Sequence, residues 1–259
     1  MTFEFDAEKY KAASAHQKEW GKKLISGLNL IGSERVLDLG CGDGGITVQL
    51  AELIGDGMVA GIDASQSMID SAQKNYKTEN VRFELMDINA IDFEDEFDIV
   101  FSNAALHWVK DHNKLLANVY KSLKVDGILR FNFAADGNCS HFFEVVRQTM
   151  AEKKYVEYFG DFDWPWYMPV IDEYEKIVTQ SGFAEVKVWG ENADRYFADA
   201  ETMTGWIEQP SLVPFLKCVG QKDKQSFRDT VVEKMVKETL QPDGTCFETF
   251  RRINVFAKK

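Results

Sequence analysis

Asp38 precedes three closely spaced glycines, Gly40, Gly42 and Gly44, at the end of an apolar stretch of sequence. An apolar run that ends in glycines predicts a buried strand entering a sharp turn. A residue without a Cβ lets the backbone turn tightly and bring its N–H groups against a ligand. Residues 46 to 54 then carry apolar side chains at helical spacing. A strand, a glycine turn and a helix in this order indicate a site for a nucleotide-type cofactor.

The glycine spacing leaves the kind of cofactor open. Gly40, Gly42 and Gly45 fit the G-x-G-x-x-G pattern of dinucleotide sites, whereas Gly44 in the third position fits a turn for another adenosine cofactor. On the glycines alone, a nicotinamide-dependent oxidoreductase is therefore an alternative.

Two aspartates separate these cofactors. Asp63 ends the next predicted strand, where a carboxylate can accept hydrogen bonds from both hydroxyls of a ribose. Asp38 lies at the carboxyl end of the first strand, where a carboxylate would repel a pyrophosphate but attract a cationic amino-acid group. S-adenosylmethionine has such a group and no phosphate. We therefore predict S-adenosylmethionine as the cofactor.

Four segments that could surround this cofactor follow one another between residues 35 and 133. They are Asp38-Leu39-Gly40-Cys41-Gly42-Asp43-Gly44, Gly61-Ile62-Asp63-Ala64-Ser65 with Met68, Asp87-Ile88, and Phe101-Ser102-Asn103-Ala104-Ala105-Leu106-His107-Trp108. Their order resembles the successive motifs of class I S-adenosylmethionine-dependent methyltransferases. The last segment, with Asp111-His112 after it, is most similar to trans-aconitate methyltransferases. A non-catalytic protein that binds S-adenosylmethionine is a further alternative.

The resemblance and the strand ends assign parts of the cofactor to named residues. Asp38 and the glycine turn would hold the methionine end, Asp63 the ribose, and Asp87 the adenine. Asn103 would lie at the edge nearest the sulfur. The full predicted set is Tyr10, Gln17, Asp38, Gly40, Cys41, Gly42, Gly44, Asp63, Ala64, Met68, Asp87, Ile88, Asn103 and Ala104.

Residues 7 to 28 have the apolar spacing of one amphipathic helix or two. In the methyltransferases that this chain resembles, such a leading helix closes over the cofactor, and Tyr10 and Gln17 occupy comparable positions. The alternative is that Tyr10 and Trp20 only pack on the sheet edge.

Predicted strands and helices alternate from residue 35 to residue 133, which is typical of an α/β protein with a parallel sheet. We predict a doubly wound, mostly parallel seven-stranded sheet of the Rossmann-like methyltransferase kind, with an inserted helical cap. The core would comprise residues 1–137, 171–194 and 246–259. The aromatic segments 138–170 and 195–245 would form the cap over the substrate. A turn is predicted at Asp126-Gly127, before the fifth strand.

Composition narrows the classes of partner. The chain has 259 residues and a net charge of −12, without a basic run, which argues against a nucleic-acid partner. It has no apolar run that could cross a membrane and no signal-like start, so we expect a cytoplasmic protein. Its four cysteines and four histidines show no metal-ligand spacing, and we expect no metal. The sequence leaves monomer and homodimer open.

The acceptor is predicted to be a small molecule, most simply a carboxylic acid. A carboxylate oxygen is already a nucleophile, so the protein need only align the reactants and exclude water. An amine, phenol or carbon acceptor would need a base, for which His107 and His141 are candidates. His107 and Trp108 follow the fourth strand, where the methyl group would emerge. They could line the acceptor pocket and are our candidate catalytic residues, although Trp108 could serve packing alone.

Aromatic and cationic residues of the last half of the chain could bind this acceptor. Trp164, Trp166, Tyr167 and Trp206 are candidates for its walls, and part of this aromatic run would instead form the core of the cap. Arg195, Arg251 and Arg252 are candidate cations for an anion, and we select Arg195 and Arg252.

One segment departs from the trans-aconitate subgroup. Trans-aconitate methyltransferases typically carry a Thr-Gly-x-Arg-Pro-like segment. This chain instead has Gln209-Pro210-Ser211-Leu212-Val213-Pro214, with Val213 in place of the arginine. The departure favours a less charged, more apolar acid.

Overall fold

The computed structural model describes residues 15–259, which places Tyr10 outside the described part of the chain. A seven-stranded sheet lies at its centre, and a two-stranded sheet lies apart from it. The strands are β1 Arg35–Leu39, β2 Met58–Asp63, β3 Val81–Leu85, β4 Phe97–Asn103, β5 Leu123–Ala134, β6 Ala184–Asn192, β7 Arg195–Phe197, β8 Cys246–Glu248 and β9 Arg251–Lys258. The α-helices are α1 Ala15–Ser26, α2 Gly45–Leu53, α3 Gln66–Asn75, α4 His112–Ser122, α5 Ser140–Met150, α6 Ile171–Gln180, α7 Ala200–Trp206, α8 Val213–Cys218 and α9 Lys224–Thr239.

The central sheet has the strand order β3-β2-β1-β4-β5-β9-β6. Strands β1 to β5 pair in parallel, and β9 pairs antiparallel with both β5 and β6. Successive strands are added on one side of β1 up to β3 and on its other side from β4 onward, so the strand order switches between β1 and β4. At such a switch a crevice forms at the carboxyl ends of the strands. The predicted doubly wound, mostly parallel seven-stranded sheet is therefore confirmed.

The predicted turn at Asp126-Gly127 lies inside β5, which begins at Leu123 rather than at Ile128. Asp126 has a φ of 66°, and the register between β4 and β5 shifts at this point. The local backbone does bend, as the two residue types indicated, but the strand continues beyond the irregularity because its ladder with β4 resumes at Ile128.

A second apolar cluster lies outside the sheet. It is formed by α5, the helices α7 to α9 and the short helical turn Val156–Phe159, with Phe142, Phe215 and Phe227 at its centre. The cap segments also contain β7, which pairs antiparallel with β8. This two-stranded sheet was not predicted, and Arg195, placed at the start of a helical insert, lies in a strand. Cys246, assigned to the core, packs in the second cluster.

No helix in residues 15–259 is both long and apolar enough to cross a bilayer. The four cysteines are free thiols, of which Cys218 is exposed. Within the same described range, no group of three or more histidine, cysteine or acidic side chains is arranged to hold a metal ion.

A buried histidine supports the short 3-10 helix Leu106–Trp108, which follows β4. His112 Nε2 lies 3.1 Å from the carbonyl oxygen of Leu106, and His112 Nδ1 lies 2.7 Å from the hydroxyl of Tyr174. Because a carbonyl can only accept, Nε2 carries the proton and Tyr174 donates to Nδ1. Burial lowers the pKa of His112 to about 4, which agrees with a neutral ring.

We expect Tyr174→Phe to destabilise the fold by about 1–3 kcal/mol, because it leaves Nδ1 of His112 buried without its donor. Urea unfolding measures this change. Tyr120→Phe serves as the control, since Tyr120 is only partly buried and packs at the edge of the core. Equal unfolding midpoints for the two variants would contradict the assigned hydrogen bond.

Candidate active site

A cavity of about 660 Å³ lies at the carboxyl ends of the parallel strands, under the cap. A smaller cavity of about 50 Å³ adjoins it, and Gln17, Gly40, Gly42 and Asn103 line both. Predicted cofactor residues that line the large cavity are Gln17, Gly40, Gly42, Asp63, Ala64, Met68, Asp87, Ile88, Asn103 and Ala104. Asp38 and Cys41 line the small one. The strand ends thus bring most of the predicted residues together.

The glycine turn requires glycine for two separate reasons. Gly40 has a φ of 74°, and a Cβ there would lie 2.2 Å from the Cβ of Ala105. Gly44 also has a positive φ, but it lines neither cavity, and a Cβ there would meet the ring of Phe83 at 2.7 Å. Gly40 therefore shapes the cavity wall, while Gly44 lets the turn pack on β3.

Asp63 and Asp87 line the same cavity with different supports. The Asp63 carboxylate accepts hydrogen bonds from the backbone N–H of Gly42 at 3.0 Å and of Ser65 at 2.9 Å. These bonds fix its position beside the glycine turn. Asp87 is exposed and accepts from the backbone and side-chain nitrogens of Asn89, both through Oδ1. Both carboxylates are placed to accept hydrogen bonds from a ligand's hydroxyl or amino groups.

Asp38 is only 2% exposed at the end of β1. Its Oδ2 accepts a hydrogen bond from the hydroxyl of Thr47 at 2.7 Å. The pKa of Asp38 is raised to about 7, chiefly by burial and also by the negative charge of Asp63, while the Thr47 hydrogen bond opposes the shift. Burial makes the ionised carboxylate unfavourable when it has no cationic partner. A bound cation would therefore stabilise the ionised form.

Helix α1 closes one side of the cavity. A Cβ on Gly21 would lie 2.5 Å from Ile46, so the helix backbone approaches α2 closely. The side-chain amide of Asn103 donates to the backbone carbonyl of Gln17 at 2.8 Å. Within the described part of the chain, Gln17 Oε1 and Asn103 Oδ1 are buried without a hydrogen-bond partner. Their positions and that of Asp38 fit an ammonium group, which donates three hydrogen bonds.

His107 and Trp108 line the large cavity beyond Asn103. Burial, together with the smaller effect of the positive charge of Arg252, lowers the pKa of His107 to about 3. His107 Nδ1 is buried and has no hydrogen-bond partner among residues 15–259. The rings of Trp108 and Trp166 have centroids 5.2 Å apart, so Trp108 both lines the cavity and packs against the cap. His107 is thus a neutral and very weak base.

Three of the six predicted acceptor residues line the cavity: Trp166, Trp206 and Arg252. The structure does not place the other three there. Trp164 packs in the cap between Phe143 and Phe215, and Tyr167 packs on the core beside His112. Arg195 pairs with Glu19 at 2.6 Å and lies over the face of Trp20.

His141, the second candidate base, does not line the cavity either. Its Nδ1 lies 2.9 Å from a carboxylate oxygen of Glu248. Glu248 is fully buried. The same carboxylate accepts the backbone N–H groups of His141 and Phe142, at the first turn of α5. Glu248 therefore stabilises a helix N-terminus, and His141 packs at the outside of that arrangement.

Several residues of the site were not predicted from the sequence. Asn132 accepts hydrogen bonds from Arg252 through Oδ1, from Nε at 2.9 Å and from Nη2 at 2.6 Å. A polar residue within the apolar strand β5 was the available signal. Trp20, Phe142, Phe143, Met168 and Phe250 also line the cavity, and no local pattern separates them from core aromatics.

The fold and this site define the class. Residues 32–201 match the family described as "Methyltransferase domain", and the chain belongs to it. Together with the glycine turn and the aspartates Asp38 and Asp63 at the strand ends, this match identifies the protein as an S-adenosylmethionine-dependent methyltransferase of class I.

The chain is 29% identical to a trans-aconitate 2-methyltransferase of Variovorax paradoxus, over 92% of each chain. It is 36% identical to a malonyl-[acyl-carrier protein] O-methyltransferase of Bacillus cereus, over 45% of each. Among solved structures it is similar in fold to phosphoethanolamine N-methyltransferase 2 of Haemonchus contortus in complex with S-adenosyl-L-methionine. That match has a TM-score of 0.62 and 20% identity, and covers 98% of this chain and 56% of the other.

We expect Asp38→Asn to act in opposite directions on stability and on cofactor binding. Since the folded pKa of Asp38 lies above its ordinary value of 3.8, its ionisation lowers the stability of the ligand-free protein as pH rises from about 4 to 7. The variant should melt several degrees higher than the native protein at about pH 8. Its affinity for S-adenosylmethionine should fall at least tenfold, roughly the contribution of one charge-assisted hydrogen bond. Differential scanning calorimetry and isothermal titration measure the two effects.

The affinity of the native protein should itself depend on pH. Because Asp38 takes up a proton below about pH 7, binding of S-adenosylmethionine should weaken about tenfold from pH 8 to pH 6. In Asp38→Asn this dependence should disappear. A native affinity that is constant over this range would show that the Asp38 carboxylate does not hold the ammonium group.

Proposed function

We propose that the protein transfers a methyl group from S-adenosylmethionine to a carboxylate oxygen of a small acid. The observation that carries this proposal is the position of Arg252. Arg252 is 3% exposed and lines the same cavity as His107 and Asn103. A buried guanidinium beside the predicted edge of the sulfur is suited to hold a carboxylate.

Strand register explains why Arg252 lies near Asn103. Asn103 in β4 pairs with Asn132 in β5, and Ala134, two residues further, pairs with Arg252 in β9. The side chain of Arg252 then reaches back to Asn132. A carboxylate held by Arg252 would therefore lie close to Asn103, which is predicted to lie at the edge nearest the sulfur of the cofactor.

The residues of this chain would bind and orient both reactants. Asp38, Gln17 and Asn103 would hold the ammonium end, Asp63 the ribose, and Arg252 the acceptor. When bound, the cofactor supplies a methyl group on cationic sulfur, which a carboxylate oxygen attacks while the carbon–sulfur bond breaks and its electron pair remains on sulfur. The products are a methyl ester and S-adenosylhomocysteine. Alignment of two held reactants contributes up to about 7–11 kcal/mol to such a step.

The histidine in the cavity favours an acceptor that needs no base. With a pKa of about 3, His107 is a poor acceptor for the proton of an amine or a phenol. A carboxylate arrives already deprotonated, so no proton has to move in the transfer. The names of two relatives, a trans-aconitate 2-methyltransferase and a malonyl-[acyl-carrier protein] O-methyltransferase, are those of enzymes that act on acids and agree with this choice.

The proposal is tested by the chemical stability of the product. The protein is incubated with methyl-labelled S-adenosylmethionine and separate panels of small acids, amines and phenols. A methyl ester releases labelled methanol on mild alkali, whereas N-methyl groups and phenol ethers keep their label. Alkali-labile label with acids alone supports the proposal. Stable label with amines or phenols, and none with acids, would overturn it.

We expect Arg252→Gln to lower kcat/KM for an acid acceptor about tenfold to a hundredfold, because a charge-assisted hydrogen bond contributes about 1.5–3 kcal/mol. Arg252→Lys should recover part of this loss, since it keeps the charge without the planar fork. Steady-state kinetics measure both variants, and calorimetry with S-adenosylmethionine should give the native affinity for each. Unchanged kcat/KM in Arg252→Gln would remove Arg252 from the acceptor site.

A further inference from the structure

We infer that the acceptor is a monocarboxylic acid with an apolar body, and not a di- or tricarboxylate. The inference rests on the proposed function and adds the class of acid. The inference follows from the residues that line the cavity. Its interior has one buried cation and several aromatic rings, whereas its mouth has exposed charged residues.

The interior of the cavity offers one cation. Among the described residues that line it, the cations are Arg252, Lys110 and Lys217. Lys110 and Lys217 are exposed, and Lys110 forms an ion pair with Asp163. Arg252 is the buried one. An acid that enters the interior therefore meets one buried positive charge, which matches one carboxylate.

Two neutral side chains contact the guanidinium of Arg252. Asn132 accepts from its Nε and Nη2, and the ring of Trp20 lies 4.2 Å from the guanidinium carbon. The amide of Asn132 is itself oriented, because its Nδ2 donates to Asn254 Oδ1 at 3.1 Å. These contacts fix the direction of the guanidinium.

Aromatic rings form the wall beyond Arg252. Trp166 contacts Phe143 with ring centroids 5.4 Å apart, and Trp206 contacts Phe142 at 6.1 Å and Phe250 at 5.5 Å. All five residues line the cavity. A second carboxylate placed against these rings would lose its water without gaining a partner, which is a large cost. An alkyl or aryl body would instead gain by being buried there.

The acidic residues on the wall act in the same direction. Asp161 is exposed at the cap side of the cavity, whereas Asp163 is paired with Lys110, and Asp63 and Asp87 lie at the cofactor side. A polyanion would therefore be repelled from both ends of the cavity. A monoanion bound at Arg252 keeps its single charge between them.

Binding is tested directly with a matched pair of acids. Octanoate and octanedioate have the same chain length and differ by one carboxylate. Each is titrated by calorimetry into the protein saturated with S-adenosylhomocysteine, together with trans-aconitate as a tricarboxylate. We expect octanoate to bind at least about tenfold more tightly than either polyanion, which is the discrimination expected from one unpaired buried charge.

Two tryptophans provide a matched pair of variants. Trp166 lines the cavity, whereas Trp164 packs behind it, with ring centroids 6.2 Å apart. With alkanoates from butanoate to dodecanoate, Trp166→Ala should lower kcat/KM for the longer acids at least about tenfold more than for butanoate. Trp164→Ala should leave the ratio of long to short acids unchanged. Equal ratios in the two variants would show that the acid's body does not contact Trp166.

The outcomes separate this inference from the proposed function. If no acid gives alkali-labile label and amines or phenols are methylated, the proposed function is wrong and the inference falls with it. If acids are methylated but trans-aconitate or octanedioate exceeds octanoate in affinity and in kcat/KM, the function stands and the inference is wrong. A preference for octanoate that Trp166→Ala reduces supports both.

Discussion

Two carboxylates that lie close to each other at the end of the central strands impose the main electrostatic constraint on this protein. Asp38 is buried, and its pKa is raised by burial and by the charge of Asp63. The fold tolerates this arrangement because Thr47 donates to Asp38, and the N–H groups of Gly42 and Ser65 donate to Asp63. A ligand with a positive charge would relieve it. If the ammonium group of S-adenosylmethionine binds at Asp38, as proposed, the cofactor would stabilise this site more than it would stabilise an uncharged cleft.

Helix α1 links the cofactor side of the cavity to the acceptor side. Gln17 lies against Asn103 at one end, and Trp20, one turn later, lies against Arg252. Ion pairs at Lys18 and Lys23 attach the helix to the glycine turn and to β6. One short helix thus contacts Asn103 and Arg252, the residues that we propose for the cofactor and for the acceptor. Its placement rests on close backbone packing at Gly21 and on the buried side chains of Trp20, Leu24 and Ile25.

The sequence was most informative where structure is local. The glycine turn, the alternation of strands and helices in the first half and the aspartates at the strand ends follow from spacing along the chain, and the fold class was predicted correctly from them. Arg195 and Arg252 could not be told apart in the same way. Arg252 reaches the cavity only through the register of β9 on β5, whose paired residues are about 120 positions apart. Nothing near Arg252 in the chain reports that pairing.

The cap shows the same limit. Trp164, Trp166 and Tyr167 lie in a segment without regular secondary structure, so no period predicts which side chain faces the cavity. The path of this segment depends on its contacts with α5 and α8, through Phe143 and Phe215. The sheet of β7 and β8 was missed because its two strands, each of three residues, are separated by three helices.

The position of β9 has a consequence for how the chain reaches this structure. β9 follows β6 and both cap segments in sequence, yet it lies between β5 and β6 in the sheet. The five parallel strands can pair early through local connections, whereas β6 finds its neighbour only when β9 has inserted. Bringing β9 to β5 closes the long loop of chain between them, which costs conformational entropy before any contact between the two strands compensates for it. We therefore expect the part of the cavity around Arg252 to assemble late in folding, because Arg252 and the strand that β6 pairs with are the same part of the chain.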